Sequence, residues 1–355
     1  MKAKVFLQAT RPGFLSASIV CVLLGLAAGW YHTRQFDLLG AAGILVASVL
    51  MHAGADMMND HDDSRNGADE ANHAYISPFS GGSRMIQRGI LTAAEVRRVA
   101  LGLLAAGMVL LGLLALRAGP LLLLLAGIGL FTAIFCTGRP LCLASRGLGE
   151  LIVGINFGPV LVAAGYYVQA HRFPVDALLA SLPMMFLVMA ILLVNELPDY
   201  AGDRAAGKRT LVVRLGREQA SYGYIALMAA SYLSIIAAVA EGELPTLALV
   251  ALATTPLACK AAATVHRFAD RPAEMSPASV QTIVNHLLTG LLLSVATFSA
   301  GASLPLLPLI AGGALAILVA WRTYAALDGM RRAFLVRSTP APPSPPTIPP
   351  ARQRW

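Results

Sequence analysis

Two short acidic segments carry the chemistry this sequence can do. The first reads Asn59-Asp60-His61-Asp62-Asp63-Ser64-Arg65-Asn66-Gly67-Ala68-Asp69, and the second reads Asn195-Glu196-Leu197-Pro198-Asp199-Tyr200-Ala201-Gly202-Asp203 and runs on to Gly207-Lys208. Each opens with Asn and an acid, places an Asp after two further residues, and has a Gly beyond. Residues four apart share a face of a helix. Asn59 and Asp63 are so spaced, as are Asn195, Asp199 and Asp203. Each set would project oxygen ligands from one stripe of an extended helix end. Converging carboxylates repel one another unless a cation lies between them. Oxygen-only donors favour a hard ion, and magnesium fills its octahedron with waters and substrate phosphates. A single acidic run is ordinarily just solvated. Two matched copies, each at the end of an apolar stretch, point instead to a magnesium-bridged diphosphate.

Basic residues accompany both segments. Ser80-Gly81-Gly82-Ser83-Arg84 follows the first, with Gln87 and Arg88 beyond, and Gly207-Lys208-Arg209-Thr210 closes the second. Gly-rich backbone can approach a phosphate, and Arg or Lys can neutralise its oxygens. Arg84 and Lys208 are therefore candidates for the diphosphate, with Arg139 a further one. Arg88, Arg97 and Arg98 read as membrane-surface anchors. His52 and His286 fall in or near apolar stretches and read as hydrogen-bonded packing residues. Asp56, one turn before Asp60, is an acid inside an apolar segment and a functional candidate on that ground. Cys21, Cys136, Cys142 and Cys259 lack metal-type spacing and read as small core residues. No serine nucleophile elbow, P-loop or paired-Cys motif is present.

The elements that must position these residues are membrane helices. Of the 355 residues, 57% are hydrophobic and only 13% charged. The apolar residues fall in long runs rather than amphipathic stripes. Ten runs can cross a bilayer, at about 13–31, 38–58, 95–116, 120–137, 149–168, 176–196, 219–240, 244–264, 281–300 and 304–324. Of the 27 Lys and Arg residues, all but Arg34, Arg117 and Arg172 fall on one side of that alternation. The positive-inside rule then places both termini in the cytoplasm, in the cell's inner (plasma) membrane. The formal charge of +8 thus belongs to a membrane surface, with no nucleic-acid partner implied. A single membrane domain is expected over 1–330, followed by a basic tail over 331–355. Its last part carries seven prolines from Pro340 to Pro350 and should be extended or disordered. A secondary transporter would also show repeats and intramembrane acids, but near the midplane rather than at the edge. A CDP-alcohol phosphotransferase would need an Asp-Gly and Ala-Arg pair leading into Asp199, and none is there.

The paired motifs, four spans apart, resemble those of the UbiA-type intramembrane aromatic prenyltransferases. Asn59 to Asp69 matches the pattern NDxxDxxxGxD, and Asp199 to Asp203 matches DxxxD with its following Gly-Lys-Arg-Thr. The likeness covers roughly residues 8–300. Gly67-Ala68-Asp69, Ser80 to Arg84 and Gly147-Leu148-Gly149-Glu150 look like the menaquinone branch, which prenylates 1,4-dihydroxy-2-naphthoate. Asp56 stands where that pattern has Asn, and Cys136 and Ser145 where relatives often have Tyr. The resemblance implies an all-α bundle of nine helices around a central cavity, here with a tenth span. It implies magnesium held among Asn59, Asp60, Asp63, Asp69, Asn195, Asp199 and Asp203, with Asp63, Asp199 and Asp203 central to catalysis. It also implies a polyprenyl diphosphate held by Arg84, Lys208 and Arg139, an aromatic acceptor, and membrane lipid around the bundle.

Overall fold

The apolar runs fold as helices because lipid offers no partner for a free backbone amide or carbonyl, and a helix satisfies both within its own segment. The computed structural model describes residues 2–172, 177–302 and 305–338, and among these there is no β-strand. A short α1 (Lys2–Ala9) leads into α2 (Ser16–Thr33), α3 (Leu38–Asn66) and the single turn α4 (Ala68–Ala71). A long loop reaches α5 (Ala93–Ala118), whose start is fixed by a capping box between Thr92 and Glu95. Then follow α6 (Leu121–Phe135), α7 (Gly149–Ile155), a π turn (Asn156–Val160), α8 (Leu161–Ala170) and α9 (Ala177–Ala205). The described residues continue through α10 (Leu211–Leu215), α11 (Arg217–Ala240), a 3₁₀ segment (Thr246–Thr254), α12 (Thr255–Phe268), α13 (Pro272–Ala300) and α14 (Leu306–Ser338).

All ten expected spans are helical. Among the described residues, nine units are long and apolar enough to cross a membrane, and the protein is multi-pass. The tenth, α6, has 15 residues, about 22 Å at ~1.5 Å per residue, which falls short of the ~30 Å hydrocarbon core. Three spans run well past their expected ends. Helices α3 and α9 continue to Asn66 and Ala205, so both motifs are helical and not in loops. Helix α14 also continues, to Ser338, so the domain boundary expected at 330 falls inside it. The proline-rich tail lies outside the described residues. Of the four cysteines only Cys21 is buried, and Cys259 is exposed, so the core expectation does not hold for it.

Small residues let the helices meet at backbone distance. A Cβ on Gly25 of α2 would stand 2.2 Å from the Val162 carbonyl oxygen of α8, and one on Gly165 would stand 2.6 Å from that of Val22. Close backbone approach replaces the hydrophobic drive that lipid removes. On the other side α13 is the most buried of the spanning units among the described residues, and a polar ladder ties it to its neighbours. Tyr232 Oη lies 2.8 Å from Thr254 Oγ1 and donates to Asn285 Oδ1 at 3.0 Å, while Tyr224 Oη lies 2.6 Å from Thr282 Oγ1. Helix α14 packs on the outside of α13 and turns Leu306, Leu307, Ile310 and Leu315 outward. The bundle leaves a cavity bordered by α2, α3, α5, α6, α7 to α9 and α13.

Candidate active site

The two motif helices bring their C-terminal ends to one end of this cavity. Helix α3 is stopped by Gly67, whose φ of +81° no ordinary side chain adopts without strain. The reversal there starts α4 and swings Asp69 back toward the mouth. Helix α9 carries Pro198 within its second motif, so the Val194 carbonyl lacks the amide it would otherwise accept from.

A lysine closes the mouth. Lys208 Nζ donates to Asp63 Oδ2 of α3 at 3.0 Å and stands 3.8 Å from Asp203 Oδ1 of α9, with only 13% of its side chain exposed. Asp63 also accepts from Asn59 Nδ2 at 3.3 Å and from Asn66 Nδ2 at 3.0 Å. Across the mouth, Asp199 accepts from Asn72 Nδ2 and from the Gly81 amide at 3.2 Å. Asp60 accepts from the Ser83 amide at 3.1 Å. The loop between α4 and α5 is therefore pinned to both motif helices. Gly81 and Gly82 make this possible, both at positive φ. A Cβ on Gly82 would lie 2.8 Å from Asp60 Oδ1 and 3.3 Å from Asp69 Oδ2.

The cavity of about 300 Å³ is polar at this mouth and apolar below it. Asn59, Asp63, Asp69, Asn195, Asp199, Asp203 and Lys208 all border it, so seven of the expected site residues converge. Its deeper wall is made by Ile44, Met51, Leu122, Leu125, Phe157 and Leu192 among others. Three expected residues are not brought to it. Asp60 neighbours Asn59 on α3, about 100° round the helix, and its carboxylate is spent on the loop. Arg84 donates to the carbonyls of Asp69 and, at 2.7 Å, Asn72, and lies 3.9 Å over the Tyr75 ring. Two of its donors brace the loop in this way. Arg139 borders a neighbouring hollow together with Arg65, Arg97 and Lys208.

Some lining residues lie outside the expected site set. Arg11 reaches the cavity from the segment before α2, with its Nε buried and unpartnered and its guanidinium 4.5 Å over Phe14. Arg11 belongs to neither motif and simply precedes Pro12 and an apolar run. Asn72 belongs to no spaced motif, yet it carries the contact to Asp199. Glu196 lies in the second motif, borders the cavity and keeps one oxygen unpartnered.

Electrostatics at the mouth favours a bound cation. Burial pushes the Asp69 carboxyl up to about 8, aided by the charges of Asp63 and Asp60 and opposed by Arg84 and Lys208. For Lys208, burial alone would lower the pKa, but Asp63, Asp203 and Glu196 outweigh it and hold the amine charged. Among the described residues no three His, Cys, Asp or Glu side chains form a ready metal cluster. Asn195 Oδ1 is nevertheless buried at the mouth with no hydrogen-bond partner, and the carboxylates of Asp63, Asp69, Asp199 and Asp203 border the same cavity. That set fits a hard divalent ion whose remaining ligands come from a phosphate substrate.

Comparison with known proteins gives a consistent picture. The model of the UbiA prenyltransferase family matches residues 18–278. The 1,4-dihydroxy-2-naphthoate octaprenyltransferase of Escherichia coli is 30% identical over 306 residues, 84% of this chain and 96% of that protein. Its namesake in Mycobacterium tuberculosis is 33% identical over 264 residues, 73% of this chain and 85% of that protein. Among solved structures, an apo UbiA homolog from Aeropyrum pernix K1 shares the fold, with a TM-score of 0.61 at 19% identity over 77% of this chain and 95% of that one.

Proposed function

The chain belongs to the UbiA prenyltransferase family, and on that premise we propose that it transfers a polyprenyl group from an allylic diphosphate to 1,4-dihydroxy-2-naphthoate, a step of menaquinone synthesis. The observation that carries this reading is one cavity with an acidic, lysine-closed mouth and an apolar floor. A diphosphate on a long hydrocarbon tail has the same two halves.

Asn59, Asp63, Asp69, Asn195, Asp199 and Asp203 would hold magnesium with the substrate's diphosphate. The bound metal supplies charge neutralisation for the leaving diphosphate. The chain's own residues do the rest. Lys208 and Arg11 are the cavity's cations and can meet anionic oxygens directly. Asp60 and Asp199 hold the loop down and so set where the mouth donors stand. The apolar wall takes the prenyl tail and keeps water from the allylic carbon as its bond to oxygen loosens. The electron-rich ring attacks that carbon, and loss of carbon dioxide from the ring restores aromaticity. The bundle lies in the inner membrane with both termini in the cytoplasm, as a single domain.

The test is an assay of purified full-length protein with magnesium, a polyprenyl diphosphate and a panel of aromatic acceptors, including 4-hydroxybenzoate and homogentisate. Product mass identifies the acceptor and shows whether carbon dioxide is lost. Asp63→Ala and Asp199→Ala should abolish turnover in protein that still inserts and folds. Full activity in EDTA without added metal would contradict the magnesium role.

A further inference from the structure

Deeper in the cavity lies a polar group that the diphosphate reading leaves unused. His52 precedes Asn59 by two turns of α3, about 10 Å along the axis at ~1.5 Å per residue. Its side chain is 10% exposed. Its Nδ1 lies 3.1 Å from Ser18 Oγ on α2. That hydroxyl donates its only hydrogen to the Leu15 carbonyl at 3.0 Å, so toward the imidazole it can only accept. Nδ1 therefore carries the ring hydrogen, and Nε2 presents a lone pair. Nε2 stands 3.7 Å from Asp56 Oδ1, acceptor facing acceptor and outside hydrogen-bond reach. The second oxygen, Asp56 Oδ2, is buried without a partner. Phe157 of the π turn stands edge-on to the imidazole, with ring centres 4.9 Å apart. His52, Asp56 and Phe157 all border the cavity.

Buried acceptors facing one space without a donor are costly unless a ligand brings one. The missing partner is a hydroxyl on a flat, apolar body that fits beside Phe157. We propose that His52 Nε2 and Asp56 form the hydroxyl-accepting end of the subsite for the aromatic acceptor, with Phe157 flanking its ring. The inference deepens the prenyl-transfer reading and rests on it for the ligand's identity. Accepting a hydrogen bond from the ring hydroxyl orients the ring below the diphosphate and raises its electron density. His52 thus changes role from the packing residue expected in the sequence to a residue that touches substrate, while Ser18 positions it by fixing its tautomer.

The test compares two probes, 1,4-dihydroxy-2-naphthoate and its 1,4-dimethoxy counterpart, binding anaerobically to full-length protein in nanodiscs. The wild type should prefer the dihydroxy probe by at least about tenfold, because a site built to receive a hydroxyl rejects the analogue lacking it. His52→Phe should lose that preference. His52→Gln, which offers an oxygen, should keep part of it. Ser18→Ala, which frees the tautomer, should weaken it without touching ligand. In turnover, the acceptor KM should rise in these variants while the prenyl diphosphate KM stays unchanged. The subsite is overturned if wild type shows no preference. It is equally overturned if His52→Gln and Ser18→Ala, folded by thermal unfolding, keep the full wild-type preference, or if both KM values rise together. A preference that wild type keeps and His52→Phe loses, in protein that prenylates none of the acceptors, would sink the transfer reading alone. Prenylation with an unchanged preference in every variant would sink the subsite alone.

Discussion

Replacing Lys208 by methionine keeps the length of the side chain and removes the charge that joins the two motif helices. Its ammonium lies 3.0 Å from Asp63 and 3.8 Å from Asp203. At an effective dielectric of about 20 these contacts correspond to roughly 5 and 4 kcal/mol of attraction before desolvation. Much of that offsets the burial of the lysine itself. The observable cost of removing one partner of a buried pair is on the order of 3–5 kcal/mol, because the remaining carboxylates are left unpaired. In detergent-solubilised protein without metal this should lower the unfolding midpoint by about 5–10 °C. Magnesium with a non-hydrolysable prenyl diphosphate analogue brings a replacement cation to the same carboxylates. The stabilisation it gives should therefore be larger in Lys208→Met than in wild type, although turnover falls by at least about a hundredfold as a charge contact to the transition state is lost. Thermal unfolding of both proteins with and without magnesium reads this difference directly. Equal stabilisation by magnesium in the two proteins would refute the idea that lysine and metal serve the same pair of acids.

Three further outcomes follow from the mouth's geometry. Gly82→Ala places a Cβ at φ +68° and 2.8 Å from Asp60 Oδ1, so the loop should lift and kcat/KM should fall by about tenfold or more with little change in the bundle's unfolding midpoint. Arg84→Lys should not rescue Arg84→Ala in activity assays, because a lysine cannot span the carbonyls of Asp69 and Asn72 while covering Tyr75. The raised pKa of Asp69, about 8, means its carboxyl is protonated at lower pH and competes with metal. Magnesium affinity by titration calorimetry should therefore strengthen as pH rises toward 8 and level off above it, and Asp69→Asn should flatten that dependence.

The helical, multi-pass architecture was legible because hydropathy acts over whole segments. What the sequence hid was local. Span length misled at α6, where 15 helical residues stand in an apolar run long enough to cross. Helix spacing correctly grouped Asn59 with Asp63 and Asn195 with Asp199 and Asp203. It offered no way to see that Asp60, adjacent to Asn59, turns to the Ser83 amide. Cationic residues were harder still. Arg84 and Lys208 each follow a motif and carry one positive charge, but only the lysine faces the cavity. The guanidinium fork can satisfy two carbonyls and stack on a ring at once, so it was taken up by the loop. Arg11 gave no signal, since its place over the cavity depends on how the segment before α2 folds back.

The two motif copies are thus alike in sequence and unlike in duty. Both sit at the C-terminal end of a 29-residue helix. In the first copy the helix stops at Gly67, and the chain returns at once to cover the mouth, so Asp60 and Arg84 serve as fasteners for that cover. In the second copy the chain leaves through Gly207, and Lys208 turns inward to the acids of both copies. A symmetric arrangement would put a cation and a fastened loop on each side and leave no opening. The outcome is one lip formed by the loop, fastened by one acid of each copy, Asp60 and Asp199, and one charged lip held by a single lysine. The charged lip is the one that an incoming metal-bound anion can compete with. Access to the cavity should therefore be governed at Lys208 rather than at the glycine-rich loop.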